Sequence, residues 1–199
     1  MKRLHRADLY GWSRFDEARD IDFHSVLWKR SGGNVVVDPL PLTDHDRRHL
    51  EELGGAAWIL VTNSDHVRDT AALAGATGAQ IAGPRAEQSS FPIACDRWIG
   101  EGDELVPGLR VLELEGSKTP GELALLLEET TLIVGDLVRA HEAGRLRILP
   151  DAKLTARERA LASVARLAEL PHVEAVLTGD GWPVFRRGAD ALREIVGTT

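Results

Sequence analysis

The sequence predicts an α/β sandwich, in which helices cover sheets whose strands are buried. Short apolar runs such as 57–62 and 173–178 are bounded by polar residues and are typical of buried strands. These runs alternate with segments of helical periodicity. The first half reads as hairpin, helix, strand, helix, strand, and the second half as strands followed by helix, strand, helix.

The first elements are delimited by glycines and a capping residue. Residues 22–30 and 34–37 flank Gly32-Gly33 and predict a hairpin, because glycines accept the positive φ of a tight turn. Thr43 resembles the N-cap of a first helix, which Gly54-Gly55 ends.

The next elements continue the alternation. The apolar run 57–62 predicts a strand, and a second helix is expected to start near Asp65 or His66 and to end at Gly75. A further short strand is expected around Ile81.

The second half begins with three predicted strands, over 109–114, 123–127 and 131–134. Residues 139–154 read as irregular, with Gly144 and Pro150 as breakers. Thr155 and Glu158 form a capping-box pattern for a helix that runs to about residue 169. The run 173–178 predicts a strand, and a last helix ends at Gly197.

Length and composition exclude several function classes. The 199 residues are 43% hydrophobic and 28% charged, which predicts one globular domain over 1–199. A net charge of −7 disfavours nucleic acid as the main partner. No apolar run approaches the roughly 18 residues of a membrane span, and the N-terminus shows no signal-peptide pattern. Cys95 is the one cysteine, which excludes an internal disulfide and a Cys-based zinc knuckle, so we expect a cytoplasmic protein.

Polar residues that could carry chemistry directly follow apolar strands in four segments: 62–66, 116–121, 135–136 and 179–181. Strand ends are where α/β folds place their sites. Taken singly, Asp65, Asp136 and Asp180 read as caps or turn residues, and Lys118 reads as a solvated loop lysine.

Taken together, the order and spacing of the four segments match one family. The quoted runs are ILVTNSDHV (59–67), KTPGELALLL (118–127), LIVGDLV (132–138) and TGDGWP (178–183). The chain resembles the metallo-β-lactamase fold superfamily, which also contains glyoxalase II-like hydrolases. The resemblance covers essentially the whole chain. It implies a four-layer αβ/βα sandwich with metals at the sheet edges.

The chain departs from the pattern of that family at one of its two metals. The leading motif is two residues short, so its first histidine has no counterpart. Asn63 stands at the second histidine, and Lys118 stands at the histidine of His-Thr-Pro-Gly. An amide is a poor anchor for zinc, and a protonated lysine offers no lone pair. The resemblance therefore implies that this metal is lost, with Lys118 as a fixed positive charge within reach of the carboxylates.

The resemblance implies a second metal site on Asp65, His66, Asp136 and Asp180, the last being Asp where the family has His. Such a set suits one divalent metal (Zn, Mn or Fe) or holds none. Without a metal, the three carboxylates would need compensation by Lys118 or Arg68, or one would keep a proton. An alternative register places Asn63 and Asp65 on the first two histidines and leaves His66 outside the pattern.

Two functions follow from different classes. The first is a metal-dependent hydrolase with at most one metal, whose bound hydroxide attacks an ester, thioester, lactone or phosphoester of a small molecule. The catalytic residues would be Asp65, Lys118 and Asp136. The residues that contact the substrate would be Asn63, Lys118, His141 and Trp182.

The second function is a metal-free binding or scaffolding module of the same fold, in which Lys118, Asp65 and Asp136 form an internal salt-bridge network. Metal-free acid–base chemistry by His66, Asp136 and Lys118 is a third hypothesis, for which the spacing identifies no nucleophile. The oligomeric state is not readable from the sequence.

Overall fold

A computed structural model describes residues 1–197 as two sheets that pack face to face. The first sheet has seven strands in chain order: β1 (Lys2–Arg3), β2 (Leu9–Asp16), β3 (Ile21–Trp28), β4 (Val35–Val37), β5 (Trp58–Leu60), β6 (Gln80–Pro84) and β7 (Arg97–Ile99). Strands β1 to β4 pair antiparallel, and β4 to β7 pair parallel.

The second sheet has four strands: β8 (Leu109–Glu113), β9 (Leu123–Leu127), β10 (Thr131–Val134) and β13 (Ala175–Thr178). Their order across the sheet is β13-β10-β9-β8, and β10 and β13 are parallel. A separate hairpin joins β11 (Val138–Glu142) and β12 (Arg145–Ile148). The helices are α1 (Asp44–Glu52), α2 (Thr70–Thr77), α3 (Arg157–Ala168) and α4 (Gly188–Gly197).

Three clusters of buried side chains mark the three boundaries between four layers. One cluster joins α1 and α2 to the first sheet, one lies between the sheets, and one joins the second sheet to α3 and α4. Val36 belongs to the outer cluster and Val37 to the cluster between the sheets, because successive side chains of a strand face opposite ways. The predicted αβ/βα sandwich is confirmed, and burial on both faces explains the continuous apolar strands.

Two segments for which the sequence predicts no strand form hairpins. Residues 2–3 and 9–16 form β1 and β2 at the edge of the first sheet. The predicted irregular region 139–154 contains β11 and β12, because Gly144 has φ +78° and turns the chain instead of breaking it.

The predicted helix boundaries need two corrections. Residues Ser64–His66 form a 3-10 turn, and α2 begins only at Thr70, after Arg68 adopts a left-handed φ of +45°. The helix passes through Gly75 and ends at Gly78, whose φ of +73° makes the left-handed cap.

The predicted capping box of α3 is also wrong. The Thr155 hydroxyl donates to the Ser117 carbonyl instead, and the N-cap residue Ala156 has no side-chain cap. This bond ties the start of α3 to the loop that carries Lys118. None of the helices within residues 1–197 is long and apolar enough to cross a membrane.

Candidate functional site

A cavity of about 800 Å³ lies at the edge of the sandwich where four of the sequence segments meet. Its walls carry more positive than negative groups. The cations are Arg19, Arg68, Lys118, Arg139 and Lys153, and the carboxylates are Asp65, Asp136 and Asp180. His66 and four apolar side chains, Ile21, Phe23, Leu40 and Leu149, complete the lining.

Strand ends bring the polar side chains together. Asp38 follows β4 directly, and the 3-10 turn at 64–66 lies a few residues beyond β5. Asp136 lies just after β10, and Asp180 lies just after β13. Because β4 and β5 are parallel, and β10 and β13 are parallel, these carboxyl ends meet at one edge.

Two glycines allow the strand ends to approach each other. A Cβ atom on Gly135 would lie 2.9 Å from the Thr62 hydroxyl, and a Cβ atom on Gly179 would lie 2.7 Å from Cε1 of His66. The Gly-Asp pattern at 135–136 and 179–180 therefore reflects close backbone packing beside each aspartate.

Lys118 lies between two carboxylates, in a cluster that we call the Lys118 corner (Lys118, Asp65 and Asp136). Its Nζ is 2.8 Å from Oδ2 of Asp65 and 3.0 Å from Oδ2 of Asp136. Burial lowers the pKa of Lys118, but the hydrogen bond to Asp65 and the charge of Asp136 outweigh it and raise the pKa above its usual value. The ammonium is therefore charged at neutral pH.

Asp136 is the most heavily contacted carboxylate of the cavity. It also accepts a hydrogen bond from Nδ2 of Asn63 at 3.1 Å, and its Oδ1 lies 3.5 Å from Nε2 of His66. Burial would raise the pKa of Asp136, but the bond and charge of His66 and the charge of Lys118 hold it well below its usual range.

His66 is buried between carboxylates on both sides of its ring. Nδ1 lies 2.8 Å from Oδ2 of Asp38, whose oxygens also accept from the backbone N–H and hydroxyl of Thr62. Burial alone lowers the pKa of His66, but Asp38 and Asp136 outweigh it together and raise the pKa to about 9. The ring is then an imidazolium at neutral pH, with Nε2–H facing Asp136.

Arg68 brings a second cation against His66. Its Nη1 donates to the carbonyls of His24 and Asp38, and its Nη2 donates to the carbonyl of Gly179 at 3.2 Å. Nη2 also lies 3.4 Å from Nε2 of His66. With both groups charged this contact is repulsive, and the neighbouring Asp38 and Asp136 carboxylates offset it.

A second cluster, the Arg139 corner (Arg139, His141 and Asp180), lines the cavity through Arg139 and Asp180. Nη2 of Arg139 lies 2.9 Å from Oδ2 of Asp180, and Nε2 of His141 lies 3.2 Å from the same oxygen. The other oxygen, Oδ1 of Asp180, is buried and has no hydrogen-bond partner within residues 1–197.

A fully buried carboxyl group, Glu122, lies behind the Lys118 corner. Its oxygens accept from the backbone N–H of Leu137 at 2.8 Å and from the hydroxyl of Ser117. Burial and the nearby charge of Asp136 raise the pKa of Glu122 to about 7. The carboxyl therefore keeps a proton at mildly acidic pH, which relieves repulsion with Asp136.

The side chains assigned to a metal by the sequence reach one cavity, yet as arranged they do not fit a divalent cation. Lys118 occupies the space between Asp65 and Asp136, Arg68 faces Nε2 of His66, and Arg139 holds Asp180. A metal on these atoms would lie beside three protein cations. Within residues 1–197, no group of three or more His, Cys, Asp or Glu side chains is arranged to hold a metal ion.

The residues predicted to contact substrate lie in different parts of the structure. Asn63 is fully buried, with Oδ1 on the N–H of Asp65 and Nδ2 on Asp136, so it positions the carboxylates and does not face the cavity. Trp182 is 60% exposed and lines a second cavity of about 660 Å³ with Phe185. His141 does not line the central cavity, but it contacts Asp180, which does. Lys118 does line it.

Comparison with known proteins identifies the family. The family model described as the metallo-beta-lactamase superfamily matches residues 1–199. The chain belongs to the metallo-beta-lactamase superfamily.

Solved structures share the fold of this chain at low sequence identity. The metallo-beta-lactamase DIM-1 superposes with a TM-score of 0.76 at 12% identity, covering 98% of this chain and 96% of that one. A metallo-beta-lactamase family protein of Thermus thermophilus gives 0.72 at 20% identity, over 97% and 79%. TTHA1623, in a di-iron-bound form, gives 0.72 at 21% identity, over 94% and 100%.

A curated relative supports a hydrolase family. A hydroxyacylglutathione hydrolase of Cereibacter sphaeroides is 36% identical over 123 residues, which are 58% of this chain and 47% of the relative. The match thus spans about half the length of that relative. The superfamily is one of metal-dependent hydrolases, and the chain carries its fold.

Several charged residues in or beside the cavity are not predicted from the sequence. Arg19 lies in the turn between β2 and β3, and Lys153 lies in a 3-10 turn after β12, so neither adjoins a recognised motif. Arg139 lies in the region predicted to be irregular. Asp38 follows a predicted strand directly, and that position was the signal that could have found it.

Proposed function

We propose that this chain binds a small anionic molecule with an apolar part in the central cavity, and that this binding does not use a metal. The observation that carries the proposal is the lining of the cavity, where five Lys and Arg side chains and the His66 imidazolium face three carboxylates in a chain of net charge −7. A locally positive cleft on an acidic protein attracts small anions and concentrates them at its mouth.

The cations nearest to solvent are the ones free to contact a ligand. Lys153 has no ion-pair or hydrogen-bond partner for its side chain in the described part of the chain, and Arg19 reaches Asp16 only at 3.8 Å. Both are exposed and flank the mouth from different segments. Deeper in the cavity, Lys118 uses two donors on Asp65 and Asp136 and has a third for a ligand oxygen.

The apolar wall defines the other part of the ligand. Leu149 and Leu40 are buried, and Phe23 is half-buried beside them in the lining. Cavities that are partly apolar with a few charged groups bind molecules that present a charged head and an apolar body. A carboxylate or phosphate attached to a short acyl or aryl group matches this arrangement.

Matched ligand pairs test the proposal. Phenyl phosphate and benzoate are compared with phenol and benzamide by calorimetric titration and thermal melting of the wild-type chain. We expect the anions to bind and to raise the melting temperature, with an effect that weakens as salt increases. Arg19→Ala and Lys153→Ala should each weaken anion binding several-fold. Equal binding of the neutral analogues, or no binding of either anion, would contradict the proposal.

One observation favours a metal-dependent hydrolase as the second candidate. Oδ1 of Asp180 is buried without a hydrogen-bond partner in the described residues, as a metal ligand would be before loading. This function predicts turnover of 4-nitrophenyl acetate or 4-nitrophenyl phosphate that zinc or manganese stimulates and that Asp136→Asn abolishes. Turnover that Asp136→Asn leaves unchanged would exclude it.

A further inference from the structure

Each of the four side chains expected to bind a metal is faced by a cation of the protein itself. The ammonium of Lys118 contacts Asp65 and Asp136, and a guanidinium faces each of the other two. Arg68 lies 3.4 Å from Nε2 of His66, and Arg139 lies 2.9 Å from Oδ2 of Asp180. With the His66 imidazolium and its partner Asp38 included, four cations match four carboxylates, so the cluster is balanced without an added ion.

The Lys118 ammonium is held in place by its loop. The carbonyl of Ser117, the preceding residue, accepts the Thr155 hydroxyl at 2.7 Å, and the Ser117 side chain is buried against Glu122. Lys118 is 29% exposed, while Asp136 is 10% exposed and Asp65 is 53% exposed. A rigid loop thus places a positive charge at an opening where ions from solution could otherwise enter.

Coulomb's law excludes simultaneous occupation of this space. An ammonium about 3 Å from both carboxylates supplies donors but no lone pair, so it cannot join a metal's ligand set. A dication on the same two carboxylates would meet that ammonium at close range. Removing the ammonium would leave two adjacent carboxylates, of which Asp136 is largely buried, with an unbalanced charge.

We propose that Lys118 is the resident cation of this site, occupying the position between Asp65 and Asp136 that a divalent ion would take, and that its removal opens a divalent-cation site there. The proposal stands on the ion pairs alone and holds whether or not the cavity binds the anion proposed above. Carboxylate oxygens with water completing the coordination would suit Mn²⁺ best, and an added imidazole would suit Zn²⁺.

Thermal melting and calorimetric titration with Mn²⁺ and Zn²⁺ test this on three proteins: wild type, Lys118→Ala and Lys153→Ala. Lys153→Ala is the matched control, because it removes one positive charge from the same cavity but from a side chain without a carboxylate partner in the described residues. We expect metal to leave the wild type and Lys153→Ala unchanged. At a metal concentration about 100 times the dissociation constant, Lys118→Ala should melt roughly 5–10 °C higher than without metal.

Two further variants keep the test decisive. Lys118→His adds an imidazole and should gain Zn²⁺ affinity, which covers the case in which Lys118→Ala does not fold. Adding Asp65→Asn to either variant should abolish the gain, which locates the ion. The proposal is overturned if the wild type takes up metal as well as Lys118→Ala does, or if neither Lys118 variant gains a metal-dependent shift.

Discussion

The two corners of the cavity use the same chemistry, a cation paired with carboxylate, in different environments. In the Lys118 corner the ammonium is 29% exposed and one of its carboxylates, Asp65, is 53% exposed. In the Arg139 corner the guanidinium is 11% exposed and Asp180 is 7% exposed. The first pair borders solvent, and the second, which we call the sealed pair, is largely buried, although both pairs line the cavity.

This difference in exposure indicates which ion pairs stabilise the fold and which remain available to contact ions and ligands. An ion pair that borders water is screened, so it contributes little free energy and its members can exchange partners. A sealed pair cannot lose one member without leaving a buried charge. We therefore expect the Arg139 corner to control stability and the Lys118 corner to control which ions and ligands enter.

Breaking the sealed pair should have the largest effect. Arg139→Met keeps the side-chain volume but leaves Asp180 buried without its guanidinium, which should lower the free energy of unfolding by about 3–5 kcal/mol. Urea denaturation measures this. The double variant Arg139→Met/Asp180→Asn removes both charges and should recover much of the loss. A single variant as stable as wild type would show that the corner does not hold the fold.

The pH dependence of the free energy of unfolding tests the protonation states of His66 and Glu122. His66 has its pKa raised to about 9 and Glu122 to about 7, so the folded state holds protons that the unfolded state releases. The free energy of unfolding should fall from about pH 5 to pH 7 because Glu122 loses its proton in the folded state. It should fall from about pH 7 to pH 9 by a further ~3 kcal/mol because His66 then loses its proton. Below about pH 4 stability should fall again, because Asp136 has a lowered pKa.

Denaturant titrations across that range check the assignment. Glu122→Gln should flatten the fall between about pH 5 and pH 7 and keep the fall above it. Stability that rises steadily from mildly acidic to alkaline pH would contradict the protonated states described for His66 and Glu122.

Breaking the ion pairs of Lys118, which border solvent, should lower the free energy of unfolding less. Lys118→Met leaves Asp136 with Asn63 and His66 as remaining partners. We expect a loss of about 1–2 kcal/mol in the free energy of unfolding, between the values for surface and buried pairs. The same urea series as for Arg139→Met provides the measurement. A larger loss for Lys118→Met than for Arg139→Met would invert the comparison.

The smallest effect on the free energy of unfolding is expected at Lys153, an exposed residue of the cavity lining. Lys153→Ala removes an exposed side chain with no partner in the described residues, so the free energy of unfolding should stay within about 0.5 kcal/mol of wild type. Affinity for phenyl phosphate should nevertheless fall several-fold. Loss of stability without loss of affinity would assign Lys153 a structural role and remove it from the ligand site.

The sequence predicted the fold well because its signals are local. Buried strands such as 123–127 read as apolar runs, and Gly-Asp at 135–136 marks a strand end that must pack closely. The contact of Lys118 with the carboxylates was predicted from its place in the motif, and Arg68 was named as a compensating charge. Both statements depended on alignment to a known pattern, which fixes positions along the chain.

Arg139, which the sequence analysis does not name, and Trp182 and Asn63, which it expects to contact substrate, depend on contacts that no local pattern encodes. Arg139 meets Asp180 because Ala140, the next residue of β11, pairs with Gly181 after β13, in a region that the sequence predicts to be irregular. Trp182 follows Gly181, which has a positive φ, and its side chain lines another cavity. Asn63 is expected from the sequence to contact substrate, but its side chain accepts from the N–H of Asp65 and donates to Asp136 instead.

Metal content of the wild-type chain tests the central claim most directly. The protein is purified without chelator, incubated with zinc, manganese and ferrous iron, desalted and measured by elemental mass spectrometry. The account predicts that no metal is retained in proportion to protein, because Lys118 and the two arginines already balance the carboxylates. Retention of about one equivalent of a divalent metal, lost in Asp136→Asn, would contradict it and establish the metal-dependent site.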